Sequence, residues 1–387
     1  MRSSKLQWSV ALLAALAACG GSGGFKTAPH TAPVQVANLG GPLLTSVQLV
    51  TITYANDPLR ATDEAFDAWA VTSDWHGAVG GEYGLDGGTN ANVELTEDAP
   101  TSLDDTTIDA QLTSWIGDGT LPKPTSQTLY MLYLPASTAV TVDSQFVISC
   151  TLAGGYHSES LSSQPPFPYA VIPTCPSATT GTVASEVQGV ASHELLEAST
   201  DPLPSSAPAF QLPASSAWNL GTGSAGGELA DLCFPLSETD GDFTVSLGWS
   251  NAAAAAGGDP CVPASPTAPY FSVSPEPASL ALAPGASTEV VLLGWATGTL
   301  SAPWTIGTEL LYGAQGTTPF APTLALSETT LENDGDAELK VTVPAGTPAG
   351  SAITIVVYSQ ATSALGPGEA PSFANHESYW PIELTVE

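Results

Sequence analysis

The stretch Val183-Ala-Ser-Glu-Val-Gln-Gly-Val-Ala-Ser-His-Glu-Leu-Leu-Glu-Ala-Ser-Thr-Asp-Pro202 decides how the rest of the chain is interpreted. Its apolar residues recur at the spacing of one helical face, at Val183, Val187, Val190, Ala191, Leu195 and Ala198. Thr182 is suited to cap the first turn, and Pro202 discourages the helix from continuing past Asp201. The pattern therefore predicts a helix over residues 183–201.

His193 and Glu197 lie four residues apart, so a helix places both on one face, one turn apart. His-Glu-x-x-Glu is a close relative of His-Glu-x-x-His, in which two ligands hold zinc and the Glu activates a water. Zinc accepts carboxylate oxygens, so Glu197 can replace the second imidazole, although this softens the preference for zinc over calcium or manganese. The alternative interpretation is an ordinary amphipathic helix with exposed Glu residues and one His.

A second acidic segment, Gly226-Gly-Glu-Leu-Ala-Asp-Leu-Cys233, follows the helix at a workable distance for a third ligand. The predicted metal ligands are His193, Glu197 and Asp231, with Glu228 as a substitute or fourth ligand. Glu194, directly after the ligating His, is the predicted general base that acts on a water at the metal. The expected cofactor is Zn²⁺, and Ca²⁺ is the alternative.

The sequence also offers other His and Asp residues as site candidates. His157, on the turn-rich Gly154-Gly-Tyr-His-Ser158, is predicted to act in catalysis, as a ligand or as a donor to a transition-state oxyanion. The alternative is a loop His that bonds locally. Asp201 either orients the ligating His or simply ends the helix. His76 is expected to be structural, and His376 is expected to lie on the surface.

The composition argues against several classes of protein. Lys and Arg number 6 against 38 Asp and Glu, a formal net charge of -32, and nucleic-acid binding needs a basic surface. The chain is 43% hydrophobic and 11% charged, which argues against global disorder. A length of 387 residues suffices for two domains with separate cores. The lack of a Gly-x-Ser-x-Gly elbow disfavours Ser-His-Asp catalysis.

The first 19 residues have the pattern of a lipoprotein signal peptide. Two basic residues precede an apolar run, Trp8 to Ala18, that ends in Leu16-Ala-Ala-Cys19. This end resembles the bacterial lipobox, whose Cys becomes lipidated; the alternative is a plain secretory signal. We therefore expect Cys19 to attach the protein to a lipid bilayer of the cell envelope, on the extracytoplasmic side. Gly20, in place of Asp, indicates the outer membrane or cell surface if the cell is Gram-negative.

The remaining cysteines predict disulfides. Their positions are Cys150, Cys175, Cys233 and Cys261, an even number in a chain expected to be exported. The economical pairing is Cys150–Cys175 with Cys233–Cys261, but four cysteines allow three connectivities and the sequence alone does not choose. Zinc binding by these cysteines is disfavoured, because no close Cys-x-x-Cys pair is present.

The middle of the chain alternates strand and helix patterns. Residues 20–45 are mostly small and polar and are predicted to be a flexible linker. Within residues 46–265, strands are predicted at 46–54, 128–134, 145–150 and 169–173, another strand within 77–88, and helices at 62–72 and 102–116. This alternation predicts an α+β domain with a mixed sheet, in an order that resembles the zincin metalloproteases.

In residues 266–387, short β runs bounded by Pro and Gly replace the predicted helices. The predicted strands are 270–274, 279–283, 288–293, 323–327, 337–343, 352–358 and 382–386. Short strands separated by turn residues predict an all-β sandwich that resembles the immunoglobulin-like modules of secreted bacterial enzymes. No constellation of residues for chemistry occurs in this part of the sequence.

Several segments before the sandwich share a family pattern. They are Thr107 to Tyr133, Ser149 to Ser158, Pro168 to Pro176, Ser192 to Pro202, Trp218, and Glu228 to Cys233. Together they resemble the EXORDIUM / phosphate-induced protein 1 family over roughly residues 47–262. The plant members are apoplastic proteins tied to cell growth without a well-defined activity. The resemblance thus supports the helix that carries His193 without implying a reaction.

These patterns together predict a cell-envelope lipoprotein with a metal-dependent, peptidase-like hydrolase domain and an immunoglobulin-like sandwich. The alternative is a non-enzymatic surface-binding or adhesion lipoprotein that has a structural metal site or a degenerate active site. In either case, the expected partners are the lipid bilayer and a protein or polysaccharide ligand at the cell surface, and nucleic acid is not one.

Overall fold

The computed structural model of the protein describes residues 25–142, 146–147, 149–150, 154–175, 181–220, 227–312, 320–365 and 376–387. It is a mixed α+β structure, made mostly of sheets with few helices. Residues 1–24, with Cys19 and the predicted signal peptide, lie outside the described residues. Across the described ranges, no helix combines the length and apolar character needed to cross a membrane.

The first domain is built on a five-stranded sheet of mixed direction. Its elements are β1 (Val47–Thr53), α1 (Arg60–Ala70), α2 (Asp74–Gly80), β2 (Gly88–Glu94), β3 (Ser102–Asp104), α3 (Asp105–Asp118), β4 (Thr128–Leu134), β5 (Ala139–Val142), β6 (Phe146–Val147), β7 (Tyr156–Glu159), β8 (Pro168–Pro173) and α4 (Val183–Thr200). The strand order is β2-β1-β4-β8-β7, and only the edge strand β7 runs antiparallel to its neighbour. Strands β3, β5 and β6 form a separate small sheet.

Both faces of the main sheet are covered, which explains why β4 is apolar along its whole length. Its side chains alternate between two cores: Leu129 and Met131 face one, and Tyr130 and Leu132 face the other. Helices α1 and α4 cover the first face, and α3 covers the second. His157 on β7 pairs with Ala170, a residue of the first core, which brings β7 next to α4.

Helix α4 confirms the prediction for residues 183–201 to within one residue. The Thr182 side chain accepts the Ser185 N–H and the Ser185 side chain reaches back, which forms a capping box. At the other end, the Asp201 N–H donates to the Glu197 carbonyl before Pro202 ends the helix. Most of the helix after Val187 is buried against the sheet and against α1.

The first domain ends in short elements that follow α4: β9 (Ser237–Asp240), β10 (Phe243–Ser246), β11 (Gly248–Trp249), α5 (Asn251–Ala255) and β12 (Cys261–Val262). Disulfides join Cys150 to Cys175 and Cys233 to Cys261, which is the economical pairing among the three connectivities. Two disulfides indicate an extracytoplasmic or secreted protein, because such bonds persist in oxidising compartments.

The C-terminal domain consists of two packed sheets, as expected for a β-sandwich. Its strands are β13 (Phe271–Glu276), β14 (Ser279–Leu282), β15 (Ser287–Ala296), β16 (Trp304–Tyr312), β17 (Thr323–Leu326), β18 (Thr330–Leu331), β19 (Asp336–Thr342), β20 (Ala352–Gln360) and β21 (Ser378–Val386). One sheet has the order β13-β15-β19-β17 and the other β14-β21-β20-β16-β18. All seven predicted strands of this domain are present, and the apolar residues between the sheets form its core.

The N-terminal segment differs from the predicted flexible linker, because within residues 25–45 it is attached to both domains. The Ala28 N–H donates to Asn333 Oδ1 at 2.9 Å, and the His30 ring stacks on Trp295 with 3.7 Å between centroids. The Val36 N–H donates to Asn251 Oδ1 at 2.8 Å. The composition is rich in small and polar residues; of the apolar side chains among them, Val36 and Leu44 are buried, whereas Phe25 and Leu39 are exposed.

Three smaller predictions were wrong. The stretch 77–88 is not a strand: α2 and a short 3₁₀ turn occupy it, with Ser73 as the helix cap, and only Gly88 begins β2. Residues 102–104 pair with β5 instead of starting α3. His376, predicted on the surface, is buried edge-on to Tyr379 at 5.2 Å. Within the strand predicted at 145–150, the described residues form the short strand β6.

Candidate metal centre

Helix α4 brings His193 and Glu197 together on one face, as their spacing predicts. His193 Nε2 lies 3.1 Å from Glu197 Oε1 and 3.5 Å from Asp231 Oδ1. The Asp231 N–H donates to the same Glu197 oxygen at 3.0 Å, which fixes that carboxylate relative to the Asp231 backbone. One ligand atom from each of the three residues lies within 4.8 Å of the others, so this trio, the His193 group, could hold a metal ion.

The Asp231 segment is held in place by a disulfide and by contacts with the C-terminal domain. It forms a short 3₁₀ turn, Asp231–Cys233, and the Cys233–Cys261 disulfide attaches this turn to β12. Tyr379 of the C-terminal domain donates from its hydroxyl to the Leu232 carbonyl at 3.1 Å. Trp218 packs between the two domains, with its ring 5.2 to 5.6 Å from those of Trp249, Tyr379 and Trp380. The sandwich therefore supports the loop that carries the predicted third ligand.

Glu228 lies with His157 and not with His193, where the sequence placed it as a fourth ligand. His157 Nε2 is 3.5 Å from Glu228 Oε1, and His157 Nδ1 is 3.7 Å from Glu197 Oε2. These three residues also offer ligand atoms within 4.8 Å of one another, and we call them the His157 group. Glu197 belongs to both groups.

Glu194, the predicted general base, borders the same cluster. Its Oε2 lies 3.5 Å from His157 Nδ1. The backbone of β7 approaches α4 closely here, because a Cβ on Gly155 would lie 3.3 Å from Glu194 Oε1 and 2.6 Å from Val190. Glycine at position 155 therefore lets the strand that carries His157 reach the helix that carries the carboxylates.

Asp201 contacts His157, and its backbone, not its side chain, makes the contact. Its carbonyl oxygen lies 3.2 Å from His157 Nε2. Its Oδ1 accepts the Ala209 N–H at 2.8 Å, and its own N–H closes the last turn of α4. Of the two roles predicted for Asp201, ending the helix agrees with these contacts.

The two groups differ in their access to solvent. The side chains of His157, Glu197 and Glu228 are 4 to 7% exposed. His193 is 15% and Asp231 26% exposed. The His193 group therefore opens towards solvent, whereas the His157 group lies beneath it.

The cluster concentrates negative charge away from basic side chains. Within the described residues, the carboxylates of Glu194, Glu197, Glu228 and Asp231 make ion pairs only with the two imidazoles. The pair formed by Arg60 lies elsewhere, with Glu94. Buried carboxylates without a compensating charge are costly, so the cluster requires protons or a bound cation.

The protonation equilibria reflect this imbalance. Burial opposes a charge on His157, but the carboxylates of Glu228, Glu194 and Glu197 outweigh it and raise the pKa of His157 well above its usual value. The pKa of His193 is raised in the same way, chiefly by Glu197 and Asp231. Burial raises the pKa of Glu228 to about 8, helped by Glu197 and opposed by His157.

The donor set agrees with the chemistry of a borderline cation. One imidazole nitrogen and two carboxylate oxygens in the His193 group are ligands that zinc accepts, and the solvent-facing side leaves room for another. Glu228 Oε1 is buried and accepts no hydrogen bond of normal geometry. Calcium prefers oxygen ligands only, which suits the carboxylates but not the imidazoles.

Sequence reasoning did not identify Phe234, which borders the centre. Its side chain is 57% exposed although it is large and apolar, and its ring stands perpendicular to that of His193 at 6.4 Å. No motif points to it, and only its position between Cys233 and Pro235 sets it apart. Phe234 therefore provides an apolar surface beside the solvent-facing ligand group.

Comparisons with known proteins assign no family. No protein-family model matches the chain, and no curated protein does. Among solved structures, domains 4 and 5 of the S-layer protein SbsC align over 31% of this chain and 53% of their own length, at 10% identity and a TM-score of 0.20. WR4, an MSP family member of C. elegans, aligns over 30% of this chain and 97% of its own length, also at 10% identity and a TM-score of 0.20.

Proposed function

We propose that this chain is a lipid-anchored, extracytoplasmic hydrolase that uses a metal ion, best matched by Zn²⁺, for peptidase-like chemistry. The observation that carries the proposal is the His193 group, in which an imidazole and two carboxylates converge from α4 and a separate loop. Their position at the solvent-facing side of a buried acidic cluster is what a hydrolytic centre needs, because substrate and water have to enter.

A zincin-like first domain is part of the proposal. Three features support it: a mixed sheet, an antiparallel edge strand β7, and a helix with the His-Glu pair directly after β8. The EXORDIUM-like segments include this same helix. We also assign the C-terminal domain to the immunoglobulin-like sandwiches, on the basis of its two packed sheets.

Each residue of the cluster has a role in this proposal. When bound, Zn²⁺ supplies Lewis-acid activation of water and of a substrate carbonyl. Glu194 accepts the proton of the attacking water, for which its nearly buried carboxylate is suited. His157 holds its Nδ1 beside Glu194 and positions that carboxylate, or donates to the oxyanion of the transition state.

The proposed location rests on the disulfides and on the N-terminal sequence. The two disulfides support an oxidising compartment, and the lipobox at Cys19 supports a lipid anchor in the cell envelope. A peptide or a protein at the cell surface is then the substrate, and the sandwich holds the catalytic domain near it.

Metal content and hydrolysis test this proposal together. The chain exported into an oxidising compartment is expected to bind zinc, and His193→Ala and Glu197→Gln are expected to lose it, as measured by mass spectrometry. Glu194→Gln is expected to keep the metal and to lose at least about 100-fold in hydrolysis of a peptide library. The matched control is Glu289→Gln, an exposed carboxylate on β15, which should change neither quantity.

A non-enzymatic surface-binding lipoprotein with a structural Ca²⁺ site is the second candidate. The number of carboxylates in the cluster favours it, since calcium selects oxygen ligands. Calcium in place of zinc, with Glu194→Gln leaving the folded protein unchanged and no peptide cleaved, would support this candidate. A protein that binds no metal in any of these variants would contradict both.

A further inference from the structure

We infer that the centre holds two divalent cations, one in the His193 group and one in the His157 group, with Glu197 as the carboxylate they share. This inference rests on the proposed function and extends it, because that function needs only the ion at His193. The second ion would occupy the buried side of the cluster.

Glu197 has the geometry of a bridging ligand. Its Oε1 faces His193 Nε2 at 3.1 Å, and its Oε2 faces His157 Nδ1 at 3.7 Å. Each oxygen therefore lies nearest a different imidazole, and each group has one further carboxylate of its own, Asp231 or Glu228. The side chain is held in this orientation by the Asp231 N–H at 3.0 Å.

The distances suit a shared ion better than direct hydrogen bonds. Most nitrogen-to-oxygen separations in the cluster are 3.5 to 3.7 Å, longer than the 2.7 to 3.2 Å typical of N–H···O bonds. Two ligand atoms, each about 2.1 Å from a tetrahedral ion, lie about 3.4 Å from one another. His193 Nε2 and Asp231 Oδ1 are thus spaced like neighbouring ligands around one ion, and so are His157 Nε2 and Glu228 Oε1 around the other, with His157 Nδ1 directed to Glu194 and Glu197.

Glu228 points independently to a ligand on the buried side. Its side chain is 7% exposed, and its Oε1 accepts no hydrogen bond of normal geometry, although His157 Nε2 lies 3.5 Å away. A buried carboxylate oxygen without a donor costs free energy comparable to a lost charged hydrogen bond. A cation between Glu228, His157 and Glu197 would satisfy this oxygen.

Two ions compensate more of the charge of the cluster than one ion does. Four carboxylates border the two groups, Glu194, Glu197, Glu228 and Asp231, and the buried Asp201 carboxylate lies next to Glu228. With both imidazoles neutral as ligands, two divalent ions cancel four of these five negative charges, whereas one ion would cancel only two of them in a largely buried place. Within the described part of the chain, no Lys or Arg pairs with these carboxylates.

The test is the number of zinc ions bound per chain. The exported full chain is stripped with chelator, dialysed against Zn²⁺, and measured by mass spectrometry with protein concentration from amino-acid analysis. We expect two ions in the unmodified protein, one in Glu228→Gln, one in Asp231→Asn and none in Glu197→Gln. Glu289→Gln should keep two, and near-ultraviolet circular dichroism verifies that each variant remains folded.

The other outcomes separate this inference from the proposed function. One ion that survives Glu228→Gln but not Asp231→Asn would overturn the two-ion centre and leave the proposed hydrolase intact. One ion that survives Asp231→Asn but not Glu228→Gln would overturn both, because the sole ion would then occupy the His157 group. No ion in the folded, unmodified protein would likewise overturn both.

Discussion

The two domains bury different kinds of side chain. The first buries nine carboxylates: Asp57, Asp63, Asp67, Asp109, Glu159, Glu194, Glu197, Asp201 and Glu228. Among the described residues of the C-terminal domain, the buried polar groups include Ser, Thr, Gln and His but no Asp or Glu. Burying a carboxylate costs free energy unless hydrogen bonds or an opposite charge compensate it. The first domain therefore has an electrostatic cost of folding that the sandwich does not have. Chemistry is therefore expected in the first domain.

Buried carboxylates within the first domain also differ from one another in their hydrogen bonds. Asp109 accepts hydrogen bonds from both the N–H and the hydroxyl of Ser162, and further ones from Leu161 and Ser160. Glu159 accepts the backbone N–H groups of Ser205 and Ser206. Asp109 and Glu159 each accept several hydrogen bonds and thereby hold loops in place. Glu197 and the other acids of the metal centre instead face imidazoles at longer distances. Saturation by donors thus distinguishes Asp109 and Glu159 from the acids of the centre.

Placing a carboxylate in the core of the sandwich should destabilise the protein more than any other change considered. Val290 and Val291 are neighbours on β15, but Val290 is fully buried and Val291 is 37% exposed. We expect Val290→Asp to cost at least about 5 kcal/mol, because no donor is placed to receive the charge. Val291→Asp is the matched control and should cost below about 1 kcal/mol. Urea unfolding measures both, and equal losses would contradict the distinction.

Removing a saturated acid from the first domain should have the next largest effect. Asp109→Ala leaves two backbone N–H groups and two hydroxyls without their acceptor, and we expect a loss of about 3 to 5 kcal/mol. The exposed Asp98 supplies the control, since Asp98→Ala should change stability by no more than about 0.5 kcal/mol. A loss for Asp109→Ala as small as that for the control would show that the loop does not depend on this carboxylate.

The sequence predicts helix α4, the three central strands of the main sheet and seven of the nine strands described in the sandwich, because local patterns determine them. Periodicity, the Thr182 cap and Pro202 together define α4, and fully apolar runs define β4 and β8. Strand β16 was not predicted, since Gly307 interrupts its apolar pattern. Gly307 is required there by a contact distant in sequence, because a Cβ would lie 2.6 Å from the Tyr358 ring. Close approach of two strands is not visible in a local pattern.

The candidate site is predictable only in part, for the same reason. The i, i+4 relation of His193 and Glu197 follows from the helix alone. The partnership of His157 with Glu228 depends on the register of β7 against β8 and on the close approach at Gly155. Sequence separation hides such pairs, so the sequence groups Glu228 with His193, whereas the structure places it beside His157.

The two disulfides should contribute similarly to stability but differently to zinc binding. They close loops of similar length, with 25 and 28 residues of separation, so loss of either should cost about 3 kcal/mol. Only Cys233–Cys261 adjoins Asp231, and the double variant Cys233→Ser, Cys261→Ser should therefore also weaken zinc binding at least tenfold. The matched control is Cys150→Ser, Cys175→Ser. Thermal unfolding and competition with a zinc chelator measure the two effects, and equal zinc affinities in the two double variants would contradict the role of Cys233–Cys261.

The smallest effect is expected at Asp63, which is buried with neither carboxylate oxygen hydrogen-bonded. Burial, followed by the charges of Asp57 and Asp67, raises the pKa of Asp63 from 3.8 to about 9. Between these values the folded state binds more protons than the unfolded state, so this group lowers stability progressively as the pH rises from 4 to 9. Asp63→Asn should remove that dependence and stabilise the protein by about 2 kcal/mol more at pH 5.5 than at pH 4. Urea unfolding of both proteins across this range measures the difference, which Asp98→Asn should not reproduce; a difference independent of pH would show that Asp63 is ionised in the folded protein.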